Sequence, residues 1–278
     1  MSEEQVHVAV RRAFDAIAPM YDASFRAPRN LIMEWLRQEN LRLLSSIFPP
    51  HSRLVDIGCG TGDEAIFLAQ RGAFVVATDT SPVMVYLTRQ KARAAGVSER
   101  VHPLVVSAGR VATLRAAAPF DGVYSSFGAL NCEPDLPAWV DGVAQLLRPG
   151  GKLVCSVMNR WCLWEILWFT FRGQRQLARR RWTSEWCTAS LTAYDGTRLT
   201  LPCRYLSAGD MKRLLSPHFT VEHVRALPVL VPPPFLDGLY RRYPRLFQFL
   251  RWWEYRLRER WPWRYLGDHV VIVARKSR

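Results

Sequence analysis

The sequence is short of several features, and each shortage removes a class. Its densest apolar run, 161-WCLWEILWFTF-171, is interrupted by Glu165 and is too short to span a bilayer. The opening residues, MSEEQVHVAVRR, hold no apolar core of the signal-peptide kind, so none is expected. The six cysteines (59, 132, 155, 162, 187 and 203) form no CxxC pair and have no histidine at zinc spacing. They read as reduced, mostly buried cytosolic thiols, with no metal site. There is no internal repeat and no low-complexity linker; 232-PPP-234 is the one proline cluster. Acids are scarce, with 24 Asp and Glu against 38 Lys and Arg, for a formal charge of +14.

That charge is unevenly spread. Residues 1–158 carry 16 basic and 15 acidic side chains, whereas residues 159–278 carry 22 and 9, together with nine of the eleven tryptophans. A near-neutral front is followed by a basic, aromatic back. The hydrophobic fraction of 49% is enough for a real core.

Periodicity organises the front half. Helical spacing covers 3–18 and 29–47, with Pro19 and Pro49–Pro50 as breakers. Strands are then expected at Arg53–Ile57, Phe74–Asp79, Val101–Val106, Phe120–Ser125 and Lys152–Val157. Helices at Gly62–Arg71, Ser81–Ala95 and Leu136–Leu147 separate them, Ser81 capping and Pro82 opening the second. This alternation implies an α/β chain with a parallel sheet and helices on both faces. After Asn159 the rhythm changes. A helix is expected over Trp161–Arg181, a hairpin around Asp195-Gly196, a short helix at Ser207–Leu215, and strands at Phe219–Ala226 and Asp268–Arg275. The last two can join the main sheet, with 227–267 inserted between them.

The loop 58-GCGTG-62 lies between the first strand and its helix. Glycine there lets backbone approach a ligand, and a tight turn is the alternative reading. Asp79 ends the second strand, where a carboxylate can take both hydroxyls of a ribose. Asp56 stands just before the glycines. An acid would repel a pyrophosphate, so it suits a ligand with a cationic centre or an amino group.

VDIGCGTG followed by ATDTS, with 120-FDGVYSSFGALN-131 and 145-QLLRPGGKLV-154, resembles the class I S-adenosylmethionine-dependent methyltransferases. The segment 14-FDAIAPMYD-22 is similar to the N-terminal part of the quinone-biosynthesis type. The resemblance implies a Rossmann-like, mostly parallel seven-stranded sheet, with a helical and hairpin cap inserted in the C-terminal half. It divides the chain into a helical cover (1–50), a cofactor-binding core (51–158), and a tail with the last strands and acceptor-binding insertions (159–278). It implies S-adenosyl-L-methionine as cofactor. Asp56, Gly58, Cys59 and Gly60 should lie at its methionine part, with Tyr21 covering that end, and residues 1–30 are expected to form a mobile cover. Asp79 should hold the ribose, and Thr80 and Met84 should line the adenine pocket. Ser125 and Phe127 should face the sulfonium. Many relatives place an acid after the third strand to accept the adenine amino group. Here the run is 105-VVSAGR-110, so backbone near Ala108 is the candidate.

The catalytic residue is left unassigned. No Asn/Asp-Pro-Pro-aromatic signature follows the fourth strand. Asn131 reads as loop support, and His218, His223 and His269 read as structural. The expected function is methyl transfer to a small or lipid-like hydrophobic acceptor, in a pocket walled by 161–171 and 227–236. The alternatives are an RNA methyltransferase using the basic half, and a non-catalytic cofactor-binding protein. DNA is not an expected partner, and RNA stays open. The expected location is cytoplasmic. In 241-RRYPRLFQFLRWWEYRLRERWPWR-264, Leu246, Leu250, Trp253 and Leu257 recur at helical spacing. That face either packs on the core or, with its arginines, meets an anionic membrane.

Overall fold

The computed structural model describes residues 1–25, 30–183, 185–193 and 195–277. Residues 26–29, within the N-terminal cover, and Tyr194, in the hairpin expected around Asp195-Gly196, lie outside the described residues. In chain order come α1 (Glu3–Phe25), α2 (Leu31–Ile47), β1 (Arg53–Ile57), α3 (Asp63–Gln70), β2 (Phe74–Asp79), α4 (Pro82–Ala94) and β3 (Val101–Val105). They are followed by β4 (Phe120–Ser125), α5 (Leu136–Leu146) and β5 (Leu147–Met158). The back half holds α6 (Leu163–Phe171), α7 (Arg175–Arg179), β6 (Cys187–Thr192), β7 (Arg198–Cys203), α8 (Ala208–Leu215) and β8 (Phe219–Leu227). It closes with α9 (Asp237–Arg242), α10 (Pro244–Leu257) and β9 (His269–Lys276).

Seven strands form one sheet in the order β3-β2-β1-β4-β5-β9-β8. β1 to β5 pair in parallel, and β9 runs antiparallel to β5 and β8. The expected Rossmann-like architecture is present. Both faces are covered, so the strands are apolar nearly throughout. Val55, Ile57, Leu153, Cys155 and Ile272 pack toward α5 and α8, whereas Leu54, Val75, Val154 and Val271 pack toward α2 and α3. Local signals set the helix starts. Ser81 accepts from Met84 N at 3.1 Å, with Pro82 in the first turn, and Ser207 with Asp210 forms a capping box on α8.

Three expectations fail. Pro19 does not end the first helix. It removes one backbone donor, but the helix is fastened on both sides of it. Asp15 accepts from the Ser81 hydroxyl at 2.6 Å, and Asp22 accepts from Thr61 (2.6 Å) and Lys91 (2.9 Å). The stretch after Trp161 is two helices, broken at Gly173, whose φ is +71°. On α10 the inward face is Phe247 and Glu254, with Leu250 and Leu257 half-buried; Leu246 and Trp253 point out. Glu254 sets that rotation. Its buried carboxylate accepts the backbone N–H groups of Val229, Leu230 and Val231 at 2.6–3.0 Å.

The α6–α7 unit is fastened to the sheet by charge. Buried Arg181 pairs with Glu165 and, at 2.8 Å, with Asp268, both buried. Cys162, Glu165 and Asp268 are the one group with metal-ligand spacing among the described residues, and the Arg181 guanidinium already serves two of the three. Burial opposes ionisation of Asp268, but Arg181 and then His269 outweigh it and hold the carboxyl well below the usual range. Its contribution to stability is therefore present above about pH 4 and is lost as pH falls toward that lowered value. Arg181→Ala strands two buried carboxylates. Urea unfolding at pH 7 is expected to show a loss of about 3–5 kcal/mol. A loss below about 1 kcal/mol would remove Arg181 as the fastening.

Candidate functional site

A cavity of about 350 Å³ opens over the carboxyl ends of β1 and β2 and continues past β4 to the start of β9. The glycine loop is fastened to the second strand. The N–H groups of Gly58 and Cys59 donate to Thr78 O at 2.8 and 2.9 Å, and that of Gly60 donates to Asp79 Oδ2 at 2.9 Å. Gly58 and Gly60 have φ of +73° and +54°. Their reasons differ. A Cβ on Gly58 would stand 2.3 Å from Ala129 Cβ, so packing demands that glycine. On Gly60 it would meet only the Tyr21 ring, at 3.9 Å, and would otherwise project into the cavity.

Of the expected residues, Tyr21, Asp56, Gly58, Cys59, Gly60, Asp79, Thr80, Met84, Ala108 and Phe127 line this cavity. Ser125 does not. It ends β4 buried beneath the floor, its hydroxyl donating to Ile57 O at 2.8 Å, and Ser126 lines the wall. Asn131 is fully buried and binds the backbone of Met158 and Arg204, which is loop support. His218 pairs with Asp141 away from the cavity, whereas His269 lines it. Phe127 holds a φ of +52°, a costly backbone for an aromatic residue. The bond from its N–H to Ser156 Oγ (2.9 Å) helps to keep it there, with an edge contact to the His269 ring.

Three acids crowd the glycine end. Burial, then Glu64, pushes the Asp56 carboxyl well up, against the neighbouring Tyr124 hydroxyl, and its Oδ2 has no close hydrogen-bond partner among the described residues. Glu64 is raised by burial and Asp63. Asp79 is pushed up to about 6 by burial, against hydrogen bonds from the Ser81 and Gly60 backbone. Burial also lifts Tyr21 to about 12 and raises the Cys59 thiol. Buried carboxylates resist ionisation unless a cation joins them. Arg37, on the same wall, is already paired with Asp63. A positively charged ligand fits this end.

The far wall was not legible in the sequence. The pocket was expected from 161–171 and 227–236, but only Pro234 of these lines the cavity. α6 packs behind it, Phe169 stacking on Phe235 and Trp164 donating to Leu230 O at 2.8 Å. The roof is instead α1 and the β6–β7 hairpin, through Val10, Phe14, Ile17, Leu191 and Leu201. Glu133 was also missed. Its Oε1 lies 2.9 Å from where a Cβ on Gly109 would stand, and 3.1 Å from His7 Nε2.

Residues 54–151 match the methyltransferase domain family. The chain is 34% identical, over 109 residues, to the ubiquinone biosynthesis O-methyltransferase of Xylella fastidiosa strain 9a5c, covering 39% of this chain and 43% of that protein. It is 34% identical over 148 residues to the demethylmenaquinone methyltransferase of Thermus thermophilus, covering 51% and 62%. Residues 54–151 are thus a methyltransferase domain, and the chain around them is similar to the class I S-adenosylmethionine-dependent methyltransferases. It spans about half the length of the curated relatives it matches. In fold it is also similar to the [4+2]-cyclase SpnF, with a TM-score of 0.63, 17% identity and coverage of 96% and 95%. The shared fold alone therefore does not fix the reaction.

S-adenosylmethionine is the cofactor of this class, and the residues fit it. It carries an ammonium and a sulfonium, which the acid cluster and the orphaned Asp56 Oδ2 call for, and the space over Gly60 admits its backbone-sized part. A carboxylate that accepts two ribose hydroxyls must be ionised. Because the Asp79 carboxyl is raised, its contribution to apo stability is full below about pH 4 and is lost as pH rises through about 6. Ligand binding runs the other way. Calorimetry with S-adenosylhomocysteine is expected to show about tenfold weaker binding at pH 5 than at pH 7. At pH 7, Asp79→Ala is expected to lose about 1.5–3 kcal/mol. Unchanged affinity in that variant would remove Asp79 from the ribose.

Proposed function

We propose that the protein transfers the methyl group of S-adenosylmethionine to a small, apolar, hydroxyl-bearing acceptor of quinol or phenol type. The carrying observation is the division of the cavity, with acids at the glycine end and an apolar roof beyond it. In this reading Tyr21, Asp56, Gly58, Cys59 and Gly60 surround the methionine part. Asp79 takes the ribose, and Thr80, Met84 and Ala108 flank the adenine. Glu133, beside Gly109, takes the amino group that no acid after β3 can accept. Phe127 stands at the reacting end. The cofactor supplies an activated methyl group on a sulfonium. The protein supplies alignment, exclusion of water and a place for the acceptor. The ubiquinone and demethylmenaquinone names of the relatives support the acceptor class.

Incubation with methyl-labelled cofactor and either a prenylated phenol or total RNA separates the readings. Label is expected in the organic phase. Label in RNA instead would overturn the acceptor assignment, and cofactor binding with no transfer to either would favour a binding protein.

A second observation bears on where the acceptor is met. Among the described residues, no helix is long and apolar enough to cross a membrane. Yet Leu246, Phe249, Trp252 and Trp253 lie exposed along α10, with exposed Arg245, Arg256 and Arg260 nearby. Arg258 and Arg251 are engaged elsewhere, by Glu39 and the Trp35 ring. We propose that this face touches anionic lipid at headgroup depth. Sedimentation with anionic vesicles should fall with salt. It should drop at least tenfold when Arg245, Arg256 and Arg260 become Gln. Protein that stays in the supernatant at low salt would refute lipid contact.

A further inference from the structure

Transfer to an O–H acceptor leaves a proton to be placed, and most titratable groups of the cavity are unsuited to take it. Asp56, Glu64 and Asp79 belong to the cationic end. Tyr21 and Cys59 are driven toward their protonated forms by burial. His7 is engaged by Glu133, beside the third-strand loop.

His269 differs from all of these. It opens β9, whose antiparallel course sets that residue opposite Met158, at the carboxyl ends of the parallel strands. Its ring lines the cavity, edge-on to Phe127 with centroids 6.3 Å apart. Its Nδ1 lies 3.1 Å from Asp268 Oδ2. Nε2 makes no hydrogen bond to any described residue.

The carboxylate behind the ring is fixed from several sides. Asp268 Oδ1 meets Arg181 Nη2 at 2.8 Å. The Asp268 N–H donates to Pro228 O, and its carbonyl accepts from Asn159 N, both at 2.8 Å. An ionised, immobile carboxylate on Nδ1 selects the tautomer with hydrogen on that nitrogen, leaving the Nε2 lone pair bare. Carboxylate, imidazole and open cavity form the arrangement of an oriented base.

Resting on the methyltransferase reading, we infer that His269 is the general base of the transfer, with Asp268 and Arg181 as positioning residues. The acceptor O–H bond breaks and its proton goes to Nε2. The oxygen's electron pair forms the new bond to the methyl carbon. The carbon–sulfur pair stays on sulfur, which becomes a neutral thioether. The imidazolium then returns its proton to water.

The first test needs no acceptor. Nitrogen NMR of the full chain, labelled at histidine, is expected to show His269 as the Nδ1–H tautomer. Asp268→Asn should shift it toward Nε2–H. A wild-type ring that carries its hydrogen on Nε2 overturns the proposal. The second test compares wild type and His269→Gln on phenols of rising acidity, from an alkyl phenol to a nitrophenol. The variant is expected to bind S-adenosylhomocysteine within about twofold of wild type. It should transfer 10²–10⁴-fold more slowly to the alkyl phenol, and the deficit should shrink as the phenol ionises by itself. A deficit equal across the series means a structural role, and no deficit removes the base. Binding of S-adenosylhomocysteine without transfer to any phenol by wild type overturns the O–H acceptor. Failure of wild type to bind it refutes the methyltransferase reading.

Discussion

The structure turns on a conflict of charge. Asp56, Glu64 and Asp79 are buried around one loop, and each is pushed toward its neutral form. A core built only for stability would not collect three acids there. Asp79 is tolerated because it is tied to the loop: Oδ2 accepts from Gly60 and Oδ1 from Ser81. The same bonds shape the loop, so the strain of the site and the geometry of the site are one feature. A cation bound there would favour the ionised forms that burial opposes.

The cover helix shares in this economy. α1 crosses from Tyr21, over the glycines, to His7 beside Glu133, and is fastened by acids of its own. Asp15 reaches the cap of α4, and Asp22 reaches Thr61 and Lys91. Beside these polar contacts α1 buries its own apolar face, Val6, Val10, Ala13, Ile17 and Ala18, in two small clusters separate from the two that line the sheet.

What the sequence disclosed follows from the range of each interaction. Ser81 with Pro82, the glycines of the loop and Asp79 at a strand end are local signals, and all could be read. Ser125 and Ser126 could not be told apart, because one residue of pleat decides which enters the cavity. Pro19 misled because contacts 39 and 66 residues distant hold the helix through it. Glu133 and His7 are 126 residues apart, and no local pattern joins them. α10 shows the limit of apolar periodicity. Its inward face carries a carboxylate, because three backbone N–H groups of another segment wait for it.

The basic half acquires a different meaning once its arginines are followed individually. Arg181 ties the α6–α7 unit to Asp268, and Arg258 ties α10 to Glu39 of α2. Arg225 is buried with its guanidinium lowered to about 10, first by burial and then by Arg258. The first two of these charges join the insertions to the core. The same fastenings reach the cavity, since Asp268 precedes His269 and the loop that Glu254 holds runs on to Pro234. A salt bridge outside the site therefore sets the posture of a side chain inside it. Reshaping the insertions would alter the far wall of the cavity while leaving the glycine loop and Asp79 in place, because those are fastened to β2, α4 and α1.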